Sequence, residues 1–170
     1  YVSAKKDEMA RIVDDIAKRI EFALNSSGRG ILCLVDDTTP NGATTMTVDA
    51  PGGITNDNFG NRFVQPGMYV GCVNPATGVL RATVRKVVSC ASDGTSITLD
   101  AVGDTTWADN DYVVQVANSS VTDILDTSYE RQFTSLIALF DDGTYRNNYF
   151  GVDRSVYGNF STYVRSSSGA

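Results

Sequence analysis

Histidine is absent from all 170 residues. That absence removes the commonest general base, the commonest metal-ligating side chain, and every Ser-His-Asp or Cys-His catalytic arrangement. Cysteine is sparse. Cys33, Cys72 and Cys90 are an odd number at wide, irregular spacing, which suits neither a disulfide framework nor a zinc site. Each lies in an apolar or alternating run, so the three read as small core hydrophobes in a reducing compartment. Positive charge is also short: 14 Lys and Arg against 20 Asp and Glu leave a net charge of -6, with a pI near 4.5. A nucleic-acid-binding module normally shows a basic footprint, and this chain has the opposite balance. No apolar run approaches the roughly 20 residues of a membrane span, and no basic-then-apolar leader opens the chain. The expectation is a soluble protein without cofactor, metal, membrane or small-molecule substrate.

What is present supports a packed core. Hydrophobic residues make up 42% and charged residues 20%, enough apolar material for one ordinary domain or two small ones. The clearest periodicity lies in residues 4–25. Met9, Ile12, Val13, Ile16, Ile20 and Ala23 recur at steps of three and four, the stripe of an amphipathic helix. On its other face Asp7, Asp14 and Asp15 each precede a base by four residues (Arg11, Lys18, Arg19), the favourable orientation, worth about 0.2–0.5 kcal/mol per pair. Neither Gly nor Pro interrupts before Gly28, so the rod is about 33 Å long at 1.5 Å per residue. One stripe on so long a rod must lie across a sheet or a neighbouring chain.

After the glycines the period changes to two. Strands are predicted at 31–35, 44–48, 68–73, 79–90, 96–99 and 112–117, separated by Gly-, Pro-, Asn- and Asp-rich turns. Asp93-Gly94 is the strongest hairpin signal. Six strands at near-regular spacing imply a small antiparallel β-barrel or curled sheet over 31–117, whose closure would hide its edges. Beyond it, 122–134 reads as an extended loop, 135–140 as a short apolar helix or strand, and 145–163 as an aromatic-rich segment. The fold class is therefore α+β, in three parts: a helix over 1–30, the β domain over 31–117, and a loop, short helix and aromatic segment over 118–170.

Possible chemical sites read more simply as structure. Asp36-Asp37 and Asp141-Asp142 stand beside turn residues, where Asp is favoured because its side chain bonds nearby backbone amides. Asp141-Asp142-Gly143 also lacks the alternating oxygen ligands of a calcium loop. Ser27-Gly28-Arg29-Gly30 follows a helix and precedes a strand, the reverse of a phosphate-binding loop, and reads as a helix C-cap with a turn. The sequons at Asn25, Asn118 and Asn159 read as chance matches. Asp153-Arg154, set among aromatics, suggests an ion-pair holder within the domain or between subunits, because a guanidinium both bonds carboxylates and stacks on rings.

Gly143-Thr144-Tyr145 followed by Tyr149-Phe150-Gly151-Val152-Asp153-Arg154-Ser155-Val156-Tyr157 resembles a segment of many tailed-bacteriophage major capsid proteins, and 136–143 resembles the apolar stretch before it. Phe63-Val64-Gln65-Pro66-Gly67-Met68 and the hairpin strands around Asp93-Gly94 are similar to further steps of that family. The helix at 4–25 stands where those proteins have a spine helix. The resemblance implies a Hong Kong 97-type capsid subunit of a phage or prophage, with 31–117 as a barrel elaboration of its peripheral domain. It implies homo-oligomeric assembly in the bacterial host cytoplasm into a virion shell that encloses DNA without sequence-specific binding. Candidate subunit-interface residues are Ile12, Ile16 and Ile20 on the helix and Tyr149, Asp153, Arg154 and Tyr157 in the aromatic segment. Departures are Phe160 where a tryptophan is common, and the lack of the family's N-terminal arm and loop and of its last domain portion, which implies a partial chain. Two other classes stay open: a non-enzymatic β-barrel binding module, such as a phage tail or adhesin domain, and an enzyme using Asp pairs.

Overall fold

The computed structural model describes residues 2–37, 42–54 and 59–131, together with the paired backbones of 148–149 and 152–153. Helix α1 runs unbroken over Val2–Asn25. Of the predicted acid–base pairs, Asp14 and Lys18 meet at 3.8 Å on its exposed side. The helix stops where Gly28 turns to φ 75°, a conformation open to glycine because it has no Cβ.

Six strands follow: β1 (Ile31–Val35), β2 (Thr45–Asp49), β3 (Tyr69–Val73), β4 (Leu80–Cys90), β5 (Ser96–Leu99) and β6 (Tyr112–Val116). They lie within a residue of the expected positions. All pairings are antiparallel, and the order β1-β2-β5-β4-β3-β6 returns to β1, closing a barrel. Leu34 pairs with Asp49 on one side of β1, and Ile31 with Val114 on the other. The β4–β5 hairpin turns through 91–95, where the Asp93 carboxylate accepts the Thr95 amide at 3.1 Å.

Every strand points residues into one interior: Cys33 and Val35, Met46 and Val48, Val70 and Cys72, Val87, Ile97 and Leu99, and Val113. Cys33 and Cys72 are fully buried and Cys90 partly so. Trp107 closes the interior from the polar stretch before β6, at 3% exposure. Alternation fails where β4 bulges between Val87 and Ser89, which leaves Val88 and Ser89 both exposed after the buried Val87.

The outer face of β3, β4 and β6 is also apolar, and it recruits a cover. Val73, Leu80, Val84, Val114 and Val116 pack with Val121, Ile124 and Tyr129 into a second buried cluster. The extended loop expected at 122–134 is described as far as 131, and it carries more local order than its sequence announces. Ile124–Asp126 forms a 3-10 turn capped by Asp123, whose carboxylate accepts the Leu125 amide, and Thr127 bridges to Val116. The physical reason is that strands apolar on both faces need a second layer, and nothing in the loop's own period announces it. Strands β7 (Asn148–Tyr149) and β8 (Val152–Asp153) form a separate small hairpin. The helix or strand expected at 135–140 and the rest of the aromatic segment lie outside the described residues.

Candidate interaction surface

The apolar stripe of α1 does not lie on the barrel. Met9 is 67% exposed, Ile12 53%, Val13 64%, Ile16 51% and Ile20 54%, with Leu24 continuing the row at 40%. Fully burying such a side chain yields about 1.5–3 kcal/mol, so the stripe is a large unrealised stabilisation. Contiguous apolar surface of this kind marks a place where something else packs. The helix meets the barrel through its last turns. The Phe22 ring lies 4.9 Å from that of Phe63, and Arg62 bonds the Glu21 carboxylate at 2.8 Å. Phe22 is buried at 8% and belongs to the interior cluster. It was not part of the predicted stripe, because at 3.6 residues per turn it lies on the other side of the helix, the side that carries Asp15, Lys18 and Arg19.

Between the C-terminal half of α1 and the barrel lies a cleft of about 910 Å³, walled by Asp15, Lys18, Arg19 and Phe22 on one side and by Arg62, Met68 and Tyr69 on the other. Its charged groups are mixed in sign. Among the described residues, no three His, Cys, Asp or Glu side chains gather closely enough to hold a metal ion. No described helix is long and apolar enough to cross a membrane.

Of the acidic residues singled out in sequence, Asp36 is tied in through its backbone, and the fold also surrounds three that were not, Asp49, Asp104 and Asp111. Asp36 extends the β1–β2 ladder, its amide donating to Thr47 O at 3.0 Å and its carbonyl accepting the Thr47 hydroxyl. Asp49 is held above the ordinary aspartate pKa by burial, and further by the neighbouring charges of Asp36 and Asp109. Asp111, 1% exposed, takes a two-pronged bond from Arg81 (Nε to Oδ2 and Nη2 to Oδ1, both 2.8 Å) and a third from the Ala108 amide. Asp104 accepts the hydroxyls of Thr106 and Thr83, and these bonds lower its pKa. Burial raises the thiols of Cys33 and Cys72, fully enclosed, which keeps them protonated and unreactive, and raises that of the partly exposed Cys90 as well.

Ile12, Ile16 and Ile20 share the exposed stripe. In the short hairpin, Tyr149 stands opposite Val152 and Asp153 opposite Asn148; Arg154, Tyr157 and Asp141-Asp142 lie outside the described residues. Within the described residues an arginine held between two aromatic rings is Arg29, in a segment that reads in sequence as a helix cap and turn. Its Nε bonds Glu130 at 2.7 Å, its Nη2 the Tyr129 hydroxyl at 2.6 Å and its Nη1 the Tyr112 hydroxyl at 3.4 Å. The guanidinium also lies 5.2 and 5.4 Å from the centres of the Tyr112 and Tyr129 rings. Only Arg29 beside two glycines hinted at a special position; its partners are 83 to 101 residues away.

Compared with models of protein families, with curated proteins and with solved structures, the chain has no match.

Proposed function

We propose that this chain is a shell-building structural subunit of the tailed-phage major capsid type, which associates with copies of itself into an icosahedral head around DNA. The observation that carries this reading is the unbroken helix whose apolar stripe, Met9 to Ile20, stays in solvent. A closed barrel that satisfies its own edges gains nothing from carrying such a helix unless a further surface covers it. The order of motifs from Phe63 to Tyr157 supplies the family. In this reading α1 is the spine, the barrel elaborates the peripheral domain, and a short helix at 135–140 with the aromatic segment completes the capsid core. Ile12, Ile16, Ile20, Tyr149, Tyr157 and the Asp153-Arg154 pair serve packing and subunit contact, and no residue has a catalytic role. The subunit is assembled in the host cytoplasm and resides in the virion, its acidic surface leaving the packaged DNA unbound in sequence-specific terms.

A second reading, a barrel-based binding module of a phage tail or adhesin, draws on the cleft beside α1, where Arg19, Arg62 and Tyr69 offer polar and aromatic contacts. Sedimentation velocity over a concentration series, followed by electron microscopy, separates the two. Association that grows with concentration and disappears in an Ile12→Glu, Ile16→Glu, Ile20→Glu variant supports the shell subunit. A chain that stays monomeric throughout and binds a panel glycan supports the module instead.

A further inference from the structure

Helix α1 owes its direction to very little of its own length. Residues 5–20 are exposed, and the Glu21–Arg62 ion pair is a half-exposed contact of the kind that contributes little. Beyond the Phe22–Phe63 contact at its last turns, the angle depends on the elbow at 26–30, between α1 and β1. That elbow is intrinsically soft, because Gly28 and Gly30 sit at φ 75° and 74°, where glycine moves freely. Yet Ser26, Ser27, Gly28 and Gly30 are all buried. Two segments remote in sequence clamp it. On one side the Ser27 amide donates to Gly52 O at 2.8 Å, and Gly52 and Gly53 come so close that a Cβ on either would press on Ser26 or Ser27.

On the other side lies 127–131. The Ser128 hydroxyl donates to Gly30 O at 2.6 Å, the Glu130 amide donates to Arg29 O at 2.7 Å, and a Cβ on Gly30 would overlap the Ser128 carbonyl. Arg29 adds its bonds to Glu130 and Tyr129. Register explains why this segment sits there. β1 begins at Ile31 opposite Val114, so Gln115 and Val116 extend past its start. Thr127 and Ser128 take the vacated place: Thr127 bridges Val116, and Ser128 exchanges bonds with Gln115 at 2.8 and 3.0 Å. The barrel ladder itself closes, β6 on β1, without them.

We propose that residues 127–131 are a latch that holds α1 at its angle to the barrel, and that releasing the latch frees the helix while the barrel stays closed. This device does not depend on whether the chain forms a shell.

The test uses the full chain with two nitroxide labels, one at Lys18 on the helix and one at Thr77 in the exposed β3–β4 turn, with Cys90→Ser to suppress background labelling. Pulsed electron–electron distance measurement should give a narrow distribution for the parent. In a combined Arg29→Ala, Ser128→Ala, Tyr129→Ala variant, the width should at least about double as local opening becomes cheap, with the β-sheet circular dichroism retained. An unbroadened variant overturns the proposal, as does a parent distribution already as wide as the variant's. Loss of the β signal overturns it as well, because 127–131 would then be part of the barrel fold rather than a separable latch. The milder Ser128→Ala variant alone should broaden the distribution to a lesser degree.

Discussion

Arg81 and Asp111 show how one buried charge is made tolerable in this chain. Asp111 is almost wholly out of water, and a planar fork and a backbone amide fill its oxygens. Replacing Arg81 with Met strands the carboxylate with one amide partner. The expected loss is about 3 kcal/mol, toward the lower end of the range for breaking a buried pair, read as the shift in a urea unfolding curve. Double replacement with Asp111→Asn should recover much of that loss. Asp104 gives a pH signature. Its Thr106 and Thr83 bonds depress its folded pKa below the ordinary 3.8, so its contribution is present above 3.8 and disappears as pH falls through the folded value. Asp104→Ala should therefore lower the Tm at pH 7, with the deficit shrinking toward zero in melts taken progressively below pH 3.8. Asp49 has the opposite sign, since burial raises its pKa and its ionisation weighs against the fold as pH rises past 3.8. None of these pairings is visible in sequence: Arg81 and Asp111 are 30 residues apart, and each stands in a run that alternates as any strand or turn would.

At the scale of elements, the helix and the six strands follow from periodicity, and periodicity also accounts for what was misread. The helix stripe is legible because apolar spacing of three and four fixes one face. Its partner is not, because the same stripe suits a sheet of its own chain or another molecule equally well. The exposure of Ile12, Ile16 and Ile20 carries a consequence for stability. The triple glutamate variant should leave unfolding within about 0.5 kcal/mol of the parent, as surface changes do, while abolishing concentration-dependent association. Denaturant melts and sedimentation of the same sample separate these effects. A large loss of stability instead would mean that the stripe packs within the chain. The segment 121–131 is the converse case. It lacks a period of its own, and its order comes from the outer face of β3, β4 and β6, from the vacancy beside Gln115 and from bonds to Arg29 and Gly30.

For the whole molecule, the barrel has two layers, an interior drawn from every strand and an outer cluster under 121–131. Closure makes it a cooperative unit, and the cysteines report on that. Cys33 and Cys72 are fully buried with their thiols pushed up, whereas Cys90 is partly exposed. A thiol reagent at pH 8 should therefore label at most Cys90 in the native chain and all three in urea, with Cys33 and Cys72 reacting at one common rate set by global opening. Distinct rates for those two would show that the barrel opens in parts.

The sequence by itself determined the elements and the shared interior of the strands, because both rest on local spacing and on the side chain's own polarity. Only the tertiary structure decided the closure of the sheet, the seat of Arg29, the cover over β3 and β6, and the exposure of the helix stripe. Those depend on which surfaces meet across tens of residues, and meeting is a matter of register and of competing burial that no single stretch of chain encodes.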